Sequence, residues 1–312
     1  MYNTENRLVL ENLLSHKPGN GDGLKIGLVI QGGGMRGAFS AGVAKVITEF
    51  GLNDNFDDVY ASSSGCNTAA YMLSGQADMG ITIYTEDLTR FWGKFNFLRP
   101  WRIGTGKAMN LDYLVDVVMG QRKPLNLKKV RDSKTTLKMY VTDYESGHLD
   151  YFTNHQNIDF LSAIKATCAF PNFFPPVMIG GKSFLDGNIA TILPIEQAIA
   201  DRCTDILVIA TVPESHHEPS RSRKLNFFQV LLSRKFTIDF KEVRGNRVEL
   251  YNHNLDLAFG REIPNEKVRI YTIAPTYKIH NTDLSSKSVK RFLLHGVKIA
   301  RDTLESVLSL SE

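Results

Sequence analysis

Backbone amides in a glycine-rich loop are the first candidate for chemistry in this sequence. Residues 32–37 read GGGMRG and fall between a predicted buried strand at residues 25–30 and a helical stretch at residues 38–50. Glycines allow backbone conformations that leave N–H groups exposed, and the start of a helix adds a partial positive charge. Such a loop binds anions, which include a pyrophosphate and the oxyanion of an acyl-transfer intermediate.

The same string fits the GxGxxG pattern of dinucleotide-binding proteins, a weak signal on its own. Dinucleotide binding requires an acidic residue at the far end of the second strand, where it holds a ribose. Here both acidic residues, Asp57 and Asp58, precede the second predicted strand, and the far end of that strand is serine-rich. The sequence therefore disfavours dinucleotide binding, whereas a purely structural turn at the loop stays open.

A serine follows the second predicted strand at a sharp strand-to-helix turn. Ser63 has small residues two positions before and two positions after it, Ala61 and Gly65. That spacing is typical of a nucleophile elbow, in which small neighbours let strand and helix approach closely. Neither Ser62 nor Ser64 has small residues at both offsets, so Ser63 is the candidate nucleophile. A serine-rich helix N-cap is the alternative that the residues alone leave open.

The best candidate for a base that accepts the serine proton is Asp186. It follows a short predicted strand, and Gly187 allows a tight turn that would direct the carboxylate toward a neighbouring strand end. An aspartate with a pKa near ~4 is a poor base in water, so Asp186 must be partly desolvated. The eight histidines offer no clear candidate for this role. An ordinary Asp-Gly β-turn is the competing interpretation.

The order of these segments resembles the patatin-like phospholipase family. GGGMRG precedes ASSSG, which in turn precedes LDG with a following Asn-Ile-Ala. The string ATCAFPNFFPPV at residues 166–177 is similar to the helix end and Pro-Pro segment ahead of the aspartate in that family. The resemblance covers residues 25–212, well over half of the chain.

The resemblance implies a serine acyl hydrolase that cleaves lipid carboxylic esters, of the phospholipase A or lysophospholipase type. Ser63 would be the nucleophile, and Asp186 would be its direct partner in a dyad without histidine. Serine attack would give an acyl-enzyme, which water activated by Asp186 would hydrolyse. The reaction would need no metal and no cofactor. The implied oxyanion hole comprises the amides of Gly32, Gly33 and Gly34, supported by Arg36 and Gly37.

Two residues depart from the family pattern. The first glycine of the elbow is Ala61 here, and Asn188 stands where the family more often has Gly or Ala. A lipid-binding pseudoenzyme that keeps the fold without turnover is therefore the first alternative. A dinucleotide-binding oxidoreductase is the second, and the position of the acidic residues disfavours it.

Strands that alternate with helices predict a three-layer α/β fold, with a mainly parallel central sheet between helices and a helical C-terminal extension. Residues 136–144 and 149–153 alternate as in a β-hairpin, which adds an antiparallel part. We expect residues 1–23 to form a helical arm and a flexible joint. We expect residues 24–213 to form the hydrolase domain and residues 220–312 to form a mostly helical region packed on it.

Cysteine usage and targeting signals predict a cytoplasmic protein. The three cysteines are widely spaced and form no CxxC pair, which argues against a disulfide framework or a zinc site. The N-terminus carries glutamates where a signal peptide needs a basic start. No apolar run approaches the ~18 residues that a membrane span requires.

The expected partner is a lipid ester, a phospholipid or a lysophospholipid. The net charge of +4 is modest, and we expect no nucleic-acid partner. Peripheral contact with a membrane is a further hypothesis with two candidate segments. Aromatic and basic residues are mixed in residues 91–102, and residues 228–243 have the spacing of an amphipathic helix. Ordinary packing of either segment is the alternative.

Overall fold

The computed structural model describes residues 4–89, 111–171, 174–218, 247–262, 264 and 267–309. These residues form one sheet of eight strands. The strands are β1 (Ile26–Ile30), β2 (Asp58–Ser62), β3 (Thr136–Asp143), β4 (Leu149–Thr153), β5 (Val177–Ile179), β6 (Lys182–Asp186), β7 (Asp205–Ile209) and β8 (Arg269–Ile273).

The sheet is mainly parallel, with the order β5-β6-β3-β2-β1-β7-β8 and with β4 also paired to β3. Strands β3, β2, β1, β7 and β8 run parallel to one another. Strands β4 and β6 lie antiparallel to β3, and β5 lies antiparallel to β6. All residues of β1, β2 and β7 are buried. A strand buried on both faces requires a layer of helices on each side of the sheet.

Nine α-helices surround the sheet in the described part of the chain. They are α1 (Thr4–Ser15), α2 (Gly37–Glu49), α3 (Ser64–Leu73), α4 (Ala77–Thr82), α5 (Leu127–Asp132), α6 (Phe160–Cys168), α7 (Ile195–Ala200), α8 (Arg247–Ala258) and α9 (Ser286–Leu308). Helix α4 continues as a π-helical segment, Ile83–Leu88, and a second π-helical segment spans Tyr113–Arg122. Short 3-10 turns follow β1 and β6 at Gly34–Arg36 and Gly187–Ile189.

Alternate residues of the central strands belong to two separate apolar cores, one on each face of the sheet. Leu28 and Ile30 of β1 pack with residues of α1, α2, α3 and α9. Val29, between them, packs on the opposite face with residues of α7 and α8. The alternation follows from the two-residue period of a strand. The predicted three-layer α/β fold with a mainly parallel sheet is confirmed, as is the hairpin of β3 and β4.

The C-terminal helix α9 crosses α2 at very short range. A Cβ atom added to Gly42 of α2 would overlap the carbonyl oxygen of Leu293, and one added to Gly296 of α9 would overlap the carbonyl oxygen of Phe39. Each glycine thus faces the backbone of the other helix. This contact fixes α2, and α2 begins directly after the glycine-rich loop.

Helix α1 packs on the main core, in which its residues Val9, Leu10 and Leu13 are buried. One element differs from what the sequence pattern suggests. Strand β8 was not predicted, and it adds a sheet strand to the region expected to be mostly helical. Its first residue, Arg269, donates two hydrogen bonds of 2.7 Å to the buried carboxylate of Asp205 on β7.

The two segments proposed for membrane contact, residues 91–102 and 228–243, lie outside the described residues. The division of the chain into residues 1–23, 24–213 and 220–312 stays a prediction. Within the described ranges, no helix combines the length and apolar character needed to cross a membrane.

The α2–α9 contact predicts that Gly296→Ala destabilises the protein. A methyl group in this position must push two helix backbones apart, which costs about 1–3 kcal/mol of unfolding free energy. Gly120→Ala is the matched control, because its Cβ would make only ordinary contacts, the nearest at 3.4 Å. Urea unfolding of the two variants measures the difference. Equal stability of Gly296→Ala and wild type would contradict the packing described here.

Candidate active site

Ser63 occupies the turn between β2 and α3 in a strained backbone conformation. Its φ is 53° and its ψ is −134°. Among the described residues, Arg202 is the other non-glycine residue with a positive φ. Such a conformation costs on the order of 1–3 kcal/mol and persists only where the surroundings impose it. The turn places the Ser63 side chain outside both the strand and the helix, which is the geometry of a nucleophile elbow.

Contacts from two sides impose the strain at Ser63. The Thr167 hydroxyl, at the end of α6, accepts a hydrogen bond of 2.9 Å from the Ser63 N–H and donates one of 2.6 Å to the Tyr140 carbonyl. A Cβ on Gly65 would lie 2.5 Å from the Ile30 carbonyl oxygen, so the first turn of α3 lies directly against the end of β1. Removal of either contact would let the turn relax.

Asp186 ends β6 and is almost completely buried. On β3, Val141 is the partner of Asp186, and the preceding residue Tyr140 is the partner of Ser62 on the other side. The main chains at Ser62 and Asp186 are thus about 10 Å apart, two strand spacings. The carboxylate and the Ser63 hydroxyl therefore belong to strand ends that flank the same residues of β3.

The backbone at Asp186 is held by its neighbours. Its N–H donates to the Ala169 carbonyl at 3.1 Å, and its carbonyl accepts from the Thr142 hydroxyl at 2.9 Å. A Cβ on Gly187 would overlap the Tyr140 carbonyl oxygen, so the turn after β6 must carry glycine at this position. These contacts fix the position from which the carboxylate extends.

The thiol of Cys168 lies near both candidate catalytic side chains. Burial raises the pKa of the Cys168 thiol well above its usual range, and the negative charge of Asp186 raises it further, while a hydrogen bond with Ser63 acts in the opposite direction. The Cys168 thiol therefore interacts with the Ser63 hydroxyl by a hydrogen bond and with the Asp186 carboxylate through its charge. The thiol therefore stays protonated.

Asn188 connects the serine turn to the aspartate turn. Its side-chain oxygen accepts a hydrogen bond of 2.6 Å from the buried hydroxyl of Ser62, the residue before the candidate nucleophile. Its N–H donates to a carboxylate oxygen of Asp186 at 2.8 Å. The departure from the family pattern at position 188 thus adds a hydrogen-bonded link between the two turns. The other departure, Ala61, packs fully buried in the main core.

The glycine-rich loop lies against Ser63. A Cβ on Gly32 would lie 2.6 Å from the Ser62 carbonyl oxygen and 2.9 Å from the Ser63 Cβ. Gly33 and Gly34 have φ values of 154° and 59°, which side-chain-bearing residues rarely adopt.

The amides of this loop differ in their hydrogen bonds. The Gly33 N–H donates to the Ser64 hydroxyl at 3.1 Å. The N–H groups of Gly32 and Gly34 donate to no group in the described part of the chain. Gly32 lies against Ser63, and Gly34 lines the same cavity as Ser63, so both amides are candidates for stabilising an oxyanion.

Arg36 and Gly37 complete the loop without reaching Ser63 themselves. The Arg36 guanidinium folds back over Gly33, whose added Cβ would lie 3.0 Å from the Arg36 Nε. Gly37 begins α2, and a Cβ there would overlap the Tyr84 hydroxyl and lie 2.8 Å from the Ser64 hydroxyl. Gly37 thus lies beside Ser64, the residue after the candidate nucleophile, whereas Arg36 lies against Gly33.

A narrow apolar cavity of about 60 Å³ leads from Ser63 into the helical layer. Gly34, Ser63, Ser64 and Cys168 line its polar end. The walls come from α2, α3, α4 and the two π-helical segments, and include Ala41, Ala44, Tyr71, Ile83, Leu88, Leu111 and Leu114. Such a space suits a hydrocarbon chain rather than a polar group.

The described residues contain no cluster of three or more His, Cys, Asp or Glu side chains that could hold a metal ion.

Sequence analysis singled out Ser63, Asp186 and residues 32–37, and the structure brings these together at one edge of the sheet. It missed Thr167 and Cys168. The only signal for them was their position in the string ATCAFP, at a helix end just ahead of the aspartate.

The chain matches a known protein-family model. The model described as "Patatin-like phospholipase" matches residues 28–199, just over half of the chain.

Curated relatives are similar at about one residue in four. "Uncharacterized protein YjjU" of Escherichia coli is 25% identical over 269 residues, which cover 84% of this chain and 72% of that protein. "Uncharacterized NTE family protein Rv2565" of Mycobacterium tuberculosis is 26% identical over 211 residues, which cover 63% of this chain. The match spans only 33% of the mycobacterial protein.

Two solved structures share a more distant similarity. VipD from Legionella pneumophila aligns with a TM-score of 0.46 and 14% identity, over 90% of this chain and 67% of that chain. The human GIVD cytosolic phospholipase A2, in complex with methyl gamma-linolenyl fluorophosphonate, aligns with a TM-score of 0.35 and 12% identity. That alignment covers 94% of this chain and 63% of the human one.

The Ser62–Asn188 hydrogen bond predicts a strong energetic coupling between the two turns. Asn188→Ala leaves the Ser62 hydroxyl buried without this acceptor, which costs about 1–3 kcal/mol of unfolding free energy. The double variant Ser62→Ala/Asn188→Ala removes both partners and should cost less than the sum of the single variants, by at least about 0.5 kcal/mol. Urea unfolding of all four proteins measures the coupling. Additive losses would show that the bond does not join the turns.

Proposed function

Because this chain belongs to the patatin-like phospholipase family, we propose that it is a serine acyl hydrolase of the phospholipase A or lysophospholipase type. The family match supports hydrolysis of lipid esters in general. The finer proposal assigns Ser63 as the nucleophile and Asp186 as its base. It assigns the amides of residues 32–34 as the oxyanion hole.

One observation carries the proposal: a strained serine at the polar end of an apolar cavity. The conformation of Ser63 costs free energy that a structural helix cap would not require. The cavity behind it has walls of Ala, Ile and Leu side chains. A lipid whose acyl chain enters this cavity would present its ester carbonyl to the Ser63 hydroxyl. The geometry thus supports an ester of a fatty acid as the substrate.

In the proposed reaction, the Ser63 oxygen attacks the ester carbonyl carbon while Asp186 takes the hydroxyl proton. The tetrahedral intermediate collapses, and the leaving alcohol departs with the proton from Asp186. Water then attacks the acyl-enzyme while Asp186 takes a proton from it. The second intermediate collapses, the Ser63 oxygen leaves with that proton from Asp186, and the fatty acid is released. The near-complete burial of Asp186 supports this role, because a carboxylate in bulk water is a poor base.

The oxyanion would be stabilised by the amides of Gly32 and Gly34, which have no acceptor in the described part of the chain. The third amide, that of Gly33, would exchange its bond to the Ser64 hydroxyl for one to the oxyanion. One donor of this kind typically contributes ~10²–10³ in rate. The Ser64 hydroxyl would thus hold the Gly33 amide in place until the substrate arrives.

The competing proposal is a lipid-binding protein without turnover, and it rests on Ala61 and Asn188. Both residues fit the site without displacing Ser63: Ala61 packs in the core, and Asn188 holds the two turns together. These contacts support turnover. Peripheral contact with a membrane stays a prediction, because the segments it rests on lie outside the described residues.

The proposal predicts that a fluorophosphonate probe labels the protein at Ser63 and that Ser63→Ala abolishes both labelling and release of fatty acid from lipid. Asp186→Asn removes the base and should lower turnover by about 10²–10⁴. Ser74→Ala is the matched control, since Ser74 follows the other end of α3 and donates to the Tyr71 carbonyl. In-gel fluorescence and fatty-acid release measure both effects.

Two outcomes would contradict this proposal. Labelling that persists in Ser63→Ala would place the nucleophile elsewhere. Wild type that binds lipid without any labelling or turnover would favour the lipid-binding protein.

A further inference from the structure

Three nitrogen-bearing side chains meet beside the glycine-rich loop, away from the apolar cavity. Arg36 follows β1, His216 follows β7 and Lys278 follows β8. These strands are neighbours in the sheet and run parallel, so their carboxyl ends share one edge. Ser63 follows β2 at the same edge. Ligands of open α/β sheets bind at this edge.

The contact between Lys278 and His216 fixes where the histidine proton lies. The Lys278 Nζ and the His216 Nδ1 are 3.1 Å apart. An ammonium group can only donate, so the Nδ1 accepts and the proton of the neutral ring is on Nε2. Burial lowers the pKa of His216, and the positive charges of Lys278 and Arg36 lower it further, which favours this neutral form.

Two buried N–H groups of this cluster have no acceptor in the described part of the chain. They are the Nε2–H of His216 and the Nε–H of Arg36. Buried donors in proteins nearly always have a partner, so a missing acceptor indicates a ligand. The Arg36 guanidinium lies against Gly33, and its charge acts on His216, so the two donors belong to one cluster.

Within the described residues, no ion pair balances the charges of Arg36 and Lys278. Neither Arg36 nor Lys278 forms a salt bridge with any described carboxylate. Glu218 is the acidic residue whose charge acts on His216. The backbone of Glu218 is held by the Asn252 side chain through bonds of 3.0 and 2.9 Å. The cluster therefore presents only donors and at least one excess positive charge.

We propose that Arg36, His216 and Lys278 form a binding site for a phosphoryl group, which in the lipid substrate is the headgroup phosphate. A phosphate offers several acceptor oxygens with negative charge, which matches donors that converge from three strand ends. This inference rests on the proposed function. With the ester carbonyl at Ser63 and the acyl chain in the apolar cavity, the cluster would hold the polar end of the same molecule. The site would thus select phospholipids and lysophospholipids over neutral glycerides.

The test compares two soluble short-chain substrates with the same acyl chain, a lysophosphatidylcholine and a monoacylglycerol. Lys278→Gln should raise the KM for the lysophospholipid about tenfold, because it removes a charged donor, and leave kcat unchanged. The KM for the monoacylglycerol should not change. His216→Gln should act in the same direction. Lys278→Arg keeps a cationic donor and should retain the preference for the phospholipid.

Lys128→Gln is the matched control for the loss of one positive charge. Lys128 is exposed and pairs with Asp132 on α5, which precedes the start of β3 and so lies toward the opposite edge of the sheet. The control should leave both KM values unchanged. The proposal would be overturned if Lys278→Gln raised the KM for both substrates. It would also be overturned if Lys278→Gln raised neither KM and the protein did not bind phosphate.

Calorimetry with inorganic phosphate and the Ser63→Ala variant separates the two sources of the phosphoryl group. Suppose that Ser63→Ala binds phosphate, that Ser63→Ala/Lys278→Gln does not, and that Lys278→Gln leaves the KM for the lysophospholipid unchanged. This combination would assign the site to free phosphate. No binding together with unchanged KM values would rule out a phosphoryl site. Because this measurement does not need turnover, it remains informative if Ser63 proves not to be the nucleophile.

Discussion

Three close contacts between turns and carbonyl oxygens constrain the rest of the structure. The turn after β2 approaches Ile30 at Gly65, and the turn after β6 approaches Tyr140 at Gly187. The loop after β1 approaches Ser62 at Gly32. No position has room for a Cβ atom, so the ends of β1 and β2 lie directly against each other, and the end of β6 lies directly against β3. The strain at Ser63 persists because this arrangement leaves the turn no space to relax.

Because the strand ends are held in this way, the edge of the sheet has three chemically different parts. On the side of α2 and α3, an apolar cavity leads away from Ser63. On the side of β7 and β8, the proposed phosphoryl site presents buried donors. Between them lie the serine and the unused loop amides, and the buried Asp186 lies on the far side of the serine, at the end of β6. In this account, the order along the edge matches the order of groups in a phospholipid: hydrocarbon chain, ester, phosphate.

The sequence predicts the parts whose signals are local and leaves out those that depend on distant pairings. Small residues at fixed offsets mark Ser63, and a glycine after the aspartate marks the turn at Asp186, so the candidate dyad and the parallel sheet could be predicted. Nothing near Thr167 indicates that its hydroxyl holds the Ser63 amide, 104 residues away. Strand β8 has five residues and no neighbouring strand in sequence, so only its pairing with β7 identifies it.

A crystal structure of the protein with a fluorophosphonate adduct tests the central claim most directly, because the phosphonyl group stands in for the tetrahedral intermediate. The account predicts a covalent bond to the Ser63 oxygen and a phosphonyl oxygen about 3 Å from the amides of Gly32 and Gly34. It also predicts the Asp186 carboxylate within hydrogen-bond reach of the bonded serine oxygen. A phosphonyl oxygen that points away from the loop, or a carboxylate turned to the other side of β3, would contradict it.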